Sequence, residues 1–132
     1  MTPILNNSMS GMLSPSIRRE QQGDLEIVTL RGQFVGGKET DELRATLNEA
    51  LHEQRRTILV DLSNVTYLNS TALGVLIAAH SSITKRGGKI ALCGLSESLE
   101  NIFVITKLSM VFDIYRDRDA AIHALSSSST NL

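Results

Sequence analysis

The chain has 132 residues, of which 42% are hydrophobic, and its 13 basic and 14 acidic residues give a formal net charge of -1. This length suits one domain with a single buried core, and so small a net charge gives no global field to attract nucleic acid or an anionic membrane. Aromatic residues make up only 4% of the chain, too few for base-stacking surfaces. We therefore expect neither a nucleic-acid partner nor direct membrane contact.

The sequence carries no pattern for export or for a membrane span. Residues 75–79 form the longest uninterrupted apolar run, which is far short of a bilayer crossing. The N-terminus also lacks the basic and then apolar layout of a signal peptide. We expect a cytoplasmic protein.

Hydrophobic periodicity predicts strands and helices that alternate along the chain. Two strands around Gly23 are typical of a hairpin, and the three strand–helix–strand connections that follow imply a largely parallel sheet. We predict one α/β domain over residues 16–125, with flexible ends at residues 1–15 and 126–132. The predicted strands cover residues 16–21, 25–31, 57–62, 89–93 and 111–115, and the predicted helices cover residues 39–54, 71–85, 97–106 and 117–125.

Ser70 lies where an apolar strand gives way to a helix. Residues 58–60 are apolar without alternation, as in a strand covered on both faces, and a short polar turn separates that strand from the helix. The unpaired backbone N–H groups and the dipole at a helix start favour a side-chain oxygen or a phosphate. Because Asn69, Ser70 and Thr71 are each able to cap the helix, Ser70 is either one of several caps or a phosphorylation site.

Residues 32–38 match the phosphate-loop pattern up to its last position and lie between a predicted strand and a predicted helix. The pattern needs Ser or Thr after Lys38 to hold magnesium, whereas Glu39 would set a carboxylate against the phosphates. Thr40 comes one position too late. We favour an ordinary glycine-rich connection, with a small nucleotide-binding protein as the lesser alternative.

Nothing in the sequence predicts a metal or catalytic centre, and we expect no cofactor and no enzymatic activity. The only cysteine, Cys93, lies in an apolar strand, which predicts a buried thiol that acts as a small hydrophobic group. Asp61 precedes a turn that its carboxylate is suited to cap. The histidines lie on three different predicted helices without metal-ligand spacing, and we expect surface or rim positions for His52, His80 and His123.

Residues 60–76 (VDLSNVTYLNSTALGVL) resemble the signature of STAS domains, specifically the bacterial anti-sigma factor antagonists. Residues 86–90 and 106–115 also resemble that family, in order and at its spacing, so the resemblance covers roughly residues 16–125. It implies a single STAS-like domain. That domain would have a mixed, mostly parallel sheet of about five strands, with four helices packed largely on one face.

The resemblance also implies a partner switch controlled by Ser70. The unphosphorylated protein would bind a serine-kinase anti-sigma factor, the kinase would release itself by phosphorylating Ser70, and a serine phosphatase would restore the hydroxyl. Thr71 is the fallback acceptor. The principal alternative is a non-switching STAS subunit of a signalling scaffold or lipid-transport assembly, and weak homodimerisation is left open.

The partner surface implied by the resemblance is the loop and first helical turn around the serine. Its residues are Phe34, Tyr67, Leu68, Asn69, Ser70, Thr71, Ala72 and Leu73. The family usually has Asp-Ser-Ser-Gly where this chain has Asn-Ser-Thr-Ala at residues 69–72. The carboxylate that usually precedes the phosphorylated serine is therefore a neutral amide here.

Overall fold

A five-stranded sheet organises residues 15–130, the part of the chain that the computed structural model describes. The strands, in spatial as well as chain order, are β1 (Ser16–Gln22), β2 (Leu25–Phe34), β3 (Thr57–Leu68), β4 (Lys89–Cys93) and β5 (Asp113–Tyr115). The helices within the same residues are α1 (Gly37–His52), α2 (Ser70–Lys85), α3 (Glu97–Ile105) and α4 (Arg118–Thr130), with a 3₁₀ turn at Leu108–Met110.

The strand pairing is mixed, as predicted. β1 and β2 form an antiparallel hairpin around Gly23, whose φ of 60° suits a residue without a Cβ. The pairs β2–β3, β3–β4 and β4–β5 are all parallel. Parallel neighbours require crossover connections, and α1, α2 and α3 with the 3₁₀ turn provide them.

Two apolar clusters cover the two faces of the sheet. Alternate residues of β3 point to opposite faces, so that Ile58 and Val60 join the larger cluster and Leu59 joins the smaller one. Helices α1, α2 and α3 pack on the larger cluster, whereas α4 packs on the smaller one through Ala121 and Leu125. The prediction that the helices lie largely on one face is confirmed, and α4 is the helix on the other face.

The boundaries of several elements differ from the predictions. β2 continues to Phe34 and β3 to Leu68, so the residues predicted as a polar turn after Leu62 are part of a strand. Register shifts between β2 and β3 allow the strand to continue through these polar residues. Ser63 and Asn64 face solvent, and Val65 and Leu68 are buried again. The last strand is shorter than predicted, because the residues that follow the 3₁₀ turn, 111 and 112, form a turn and a bend before β5 begins at Asp113.

The two ends of the chain are described only in part. Helix α4 runs past its predicted end to Thr130, so the predicted C-terminal tail begins inside a helix. Residues 1–14 and 131–132 lie outside the described part, and the flexibility expected of both ends stays a prediction. Between residues 15 and 130, every helix is too short or too polar to cross a lipid bilayer.

Candidate functional site

Strand β3 leads directly into α2 at the carboxyl edge of the parallel strands. Its last residue, Leu68, pairs with Phe34 at the end of β2, and both side chains are buried. The next backbone N–H, from Asn69, donates to the Phe34 carbonyl at 3.0 Å. Two buried strand ends therefore fix the point at which the helix begins.

Asn69 is the residue that caps α2. Its backbone is extended, with φ -91° and ψ -179°, and its Oδ1 accepts a hydrogen bond from the Ala72 N–H at 3.0 Å. This geometry satisfies one of the backbone donors that a helix start leaves unpaired. Of the three polar residues that the sequence offered as caps, only Asn69 has this hydrogen bond within residues 15–130.

Ser70 is the first residue of α2, and its side chain is exposed. Its hydroxyl makes no hydrogen bond to any other residue of the described part of the chain. Thr71 is exposed as well, and the first turn of α2 contains no acidic residue. The positive end of the helix dipole thus faces a free hydroxyl without a nearby carboxylate in the same turn.

The structure brings the predicted partner-surface residues together at this edge but exposes only some of them. Tyr67 is 49% exposed, and Ser70 and Thr71 also face solvent. Asn69 and Leu73 are half-buried. The remaining three side chains lie in the core and hold the loop from beneath: Phe34, Leu68 and Ala72.

Three exposed residues near Ser70 were absent from the prediction. Gly74 and Ile77 follow Ser70 at helical spacing on the same face of α2, and Ile77 is 40% exposed. Val35, directly after β2, is 48% exposed. The loop it belongs to runs beside the cap, since a Cβ on Gly36 would lie 3.5 Å from Asn69 Nδ2. The helical spacing was visible in the sequence, whereas the exposure of Val35 was not.

The glycine-rich segment does not form a phosphate loop. The Val35 N–H donates to Glu39 Oε2 at 3.2 Å, and the Gly36 N–H donates to Thr40 Oγ1 at 2.9 Å. A phosphate loop needs such amides free to bind its ligand. Here two of them are bonded to side chains of α1, which supports the interpretation as a connection.

Asp61 has a structural role, as expected, but with a partner that the sequence did not indicate. Its Oδ1 accepts hydrogen bonds from the Ser63 N–H at 2.9 Å and the Ser63 hydroxyl at 2.6 Å. Its Oδ2 accepts one from Arg118 Nε at 3.1 Å. Burial first, and then the Asp61 carboxylate, raise the pKa of the Cys93 thiol to about 12. Cys93 is fully buried, as predicted.

The remaining candidates for metal or acid–base chemistry stay apart. His80 packs edge-on against Phe112 with ring centroids 5.2 Å apart, and His52 and His123 are exposed. Among residues 15–130, no three His, Cys, Asp or Glu side chains are arranged to hold a metal ion.

Known proteins resemble this chain in sequence and in fold. A family model described as "STAS domain" matches residues 16–121. The anti-sigma-B factor antagonist of Listeria monocytogenes is 34% identical over 85 residues, which cover 61% of this chain and 75% of that protein.

Solved structures share the fold at lower identity. The crystal structure of an anti-sigma factor antagonist from Mycobacterium paratuberculosis matches with a TM-score of 0.76 and 21% identity, covering 84% of this chain and 93% of that chain. The Bacillus cell fate determinant SpoIIAA in its phosphorylated form matches with a TM-score of 0.69 and 15% identity, covering 83% and 99% respectively.

Proposed function

The chain belongs to the STAS domain family, among the anti-sigma factor antagonists, and from this membership we propose that it is a phosphorylation-controlled switch that binds an anti-sigma factor. The anti-sigma factor would be a serine kinase, and a serine phosphatase would reverse its action. The protein would act in the cytoplasm, by binding rather than by catalysis. Ser70 would be the phosphorylated residue, with Thr71 as the fallback acceptor.

The observation that carries this proposal is the free hydroxyl of Ser70. A serine that caps a helix has its oxygen engaged by a backbone N–H of the first turn. Asn69 performs that task here, through its hydrogen bond to the Ala72 N–H. The Ser70 hydroxyl is exposed and available to a kinase without loss of the cap.

The position also suits the phosphorylated form. A phosphate adds about -1.5 to -2 charges at neutral pH, and the N-terminus of a helix stabilises negative charge. Asn69 places a neutral amide next to Ser70, so the preceding side chain adds no like-charge repulsion. We expect α2 to accept the phosphate without unfolding.

The switch would then work by blocking an interface. Val35, Tyr67 and Ile77 are exposed apolar side chains on the segments around Ser70, and such side chains are suited to contact a partner. A hydrated dianion among them would have to lose its water on binding, which is unfavourable unless the partner supplies compensating charge. Phosphorylation would therefore release the partner without refolding either protein.

The test is the affinity for the serine-kinase anti-sigma factor of the same genome, measured by calorimetry. We expect wild type and Ser70→Ala to bind alike and Ser70→Asp to bind at least tenfold more weakly. Ser81→Asp is the matched control, since Ser81 is an exposed serine three turns along the same helix, and it should bind as wild type does. Equal binding by Ser70→Asp and wild type would favour the non-switching STAS subunit instead.

A further inference from the structure

A basic pocket lies at the end of the sheet opposite to Ser70. Its volume is about 360 Å³, and it lies where α1 and α2 end and where β3 and β4 begin. The twelve residues of β3 separate it from Ser70, a distance on the order of 35–40 Å. The pocket is lined by His52, Gln54, Arg55, Arg56, Arg86 and Gly88.

The backbone around this pocket is held in place by short-range contacts. Gln54 has a left-handed backbone, with φ 63°, which turns the chain from α1 towards β3. The Lys89 N–H donates to the Arg56 carbonyl at 2.8 Å. A Cβ on Gly88 would lie 2.5 Å from the same carbonyl oxygen, so only glycine allows this approach. The pocket is therefore already formed by the fold.

One of its three arginines, Arg55, is paired with carboxylates that are not part of the pocket lining. Arg55 Nε lies 3.4 Å from Glu26 Oε1 and 3.7 Å from Glu53 Oε1. Glu26 is fully buried and also accepts a hydrogen bond from Arg19 Nε at 2.6 Å. Arg19 also contacts Glu49 and Glu53, so three carboxylates balance the Arg19 and Arg55 guanidinium groups, and Arg55 adds little free charge to the pocket.

The other two arginines have no acidic partner within residues 15–130. Arg86 Nη1 donates to the Leu51 carbonyl at the end of α1, which accounts for one of its five N–H donors. Arg56 makes no side-chain hydrogen bond or ion pair to a described residue, and it is exposed. Arg86 thus uses one donor to cap the end of α1, whereas Arg56 has no such role.

We infer that this pocket binds a small phosphate-bearing molecule through Arg56 and Arg86, with Arg55 beside them. The planar guanidinium presents paired donors that match two oxygens of a phosphate. No carboxylate is among the lining residues, and the volume lies within the range of small-molecule sites. No Phe, Tyr or Trp ring lines the pocket, so the phosphate groups themselves would be recognised.

The experiment is a titration of the ¹⁵N-labelled full chain with pyrophosphate, followed by amide and arginine Nε–H chemical shifts at physiological salt. At that ionic strength, interactions between exposed charges more than about 8 Å apart are largely screened. We expect saturable shifts at residues 52–56 and 86–89, and binding about tenfold weaker in Arg56→Gln. Arg56 has no side-chain contact to lose, so this variant should fold, and its melting temperature checks that it does.

Arg116→Gln is the matched control, because the Arg116 side chain is 90% exposed and lies outside the pocket. It should bind pyrophosphate as wild type does. Equal affinity in Arg56→Gln and Arg116→Gln would overturn the inference, as would shifts confined to residues 69–72 or spread over all the arginines. Because Ser70→Asp leaves this pocket intact, its pyrophosphate affinity should equal that of wild type whether or not the proposed switch operates.

Discussion

At the start of α2, two adjacent residues have separate tasks. Asn69 satisfies the backbone of the first turn, while Ser70 presents its hydroxyl to solvent. This separation matters for a regulatory serine, because modification of a capping oxygen would disturb the helix it caps. Asn69 thus caps the helix with a neutral amide, and the same amide lies next to the serine that we propose to be phosphorylated.

The separation predicts different stability effects for two alanine substitutions. Asn69→Ala removes the cap and should lower the free energy of unfolding by about 1 kcal/mol. Ser70→Ala removes an exposed hydroxyl without a described partner and should change it by less than about 0.5 kcal/mol. Urea denaturation of both variants measures the difference. If Ser70→Ala cost as much as Asn69→Ala, Ser70 would be the working cap.

Because the Cys93 thiol is buried, we expect the folded protein to lose stability at alkaline pH. A thiol in an unfolded chain ionises near pH 8.5, whereas burial and Asp61 raise the pKa of Cys93 to about 12 in the folded protein. The unfolded state therefore loses its proton first, so this contribution to stability is present below about pH 8.5 and is lost as the pH rises towards 12.

Cys93→Ala is the comparison that isolates this effect. Between about pH 8 and pH 10, the free energy of unfolding should fall by about 2 kcal/mol more in wild type than in Cys93→Ala. Urea denaturation at each pH provides the values, and other titrating groups are common to both proteins. Parallel pH profiles would mean that Cys93 is not desolvated as the structure describes.

At the scale of elements, Arg118 makes a polar attachment between the start of α4 and the sheet. Arg118 donates to Asp61 on β3 and to Thr29 on β2, and its Nη2 lies 3.4 Å from Glu20 Oε2 on β1. The apolar contact of α4 with the sheet comes from the buried Ala121 and Leu125 and from the partly buried Ile122. A single side chain thus connects the helix to three neighbouring strands.

Arg118→Ala should lower the free energy of unfolding by about 1–3 kcal/mol, because it leaves the buried Asp61 carboxylate without its cation. Amide hydrogen exchange in α4 should accelerate more than in α2. Arg116→Ala is the control, since Arg116 is exposed and only 3.8 Å from Asp117 in a weak ion pair. An Arg118→Ala variant as stable as Arg116→Ala would contradict this role.

The sequence predicted which elements exist better than where they end. The apolar run 58–60 and the helical spacing after residue 70 reflect burial, which leaves a periodic signal. The continuation of β3 through Ser63 and Asn64 leaves no periodic signal in the sequence, because exposed polar residues in an irregular strand resemble a turn. The pairing of Asp61 with Arg118, 57 positions away, depends on the tertiary fold alone.

The resemblance located the candidate site in the sequence, but it did not show which side chains of the site are exposed. Residues 67–73 lie at the predicted edge, yet the burial of Phe34, Leu68 and Ala72 appears only once the strands are paired. The basic pocket escaped prediction for a similar reason. Arg55 and Arg56 follow the end of α1, and Arg86 follows the end of α2. In the sequence each is explained as a basic residue near a helix end, and only the fold shows that the three lie together.

Considered as a whole, the molecule has two distinct ends joined by the sheet. One end carries Ser70 and the exposed apolar residues around it, and the other carries the basic pocket at residues 54–56 and 86–88. The sheet between them is covered on both faces by apolar clusters. We therefore expect the two ends to bind their ligands independently unless a ligand changes the packing of α1 and α2.

The central claim, that Ser70 is the phosphorylated residue, is tested most directly by intact-mass and fragment analysis after incubation with the serine-kinase anti-sigma factor and ATP. We expect one phosphate on wild type, located on Ser70, one on Thr71→Ala and none on Ser70→Ala. A Ser70→Ala protein that gains the same phosphate as wild type would contradict the claim.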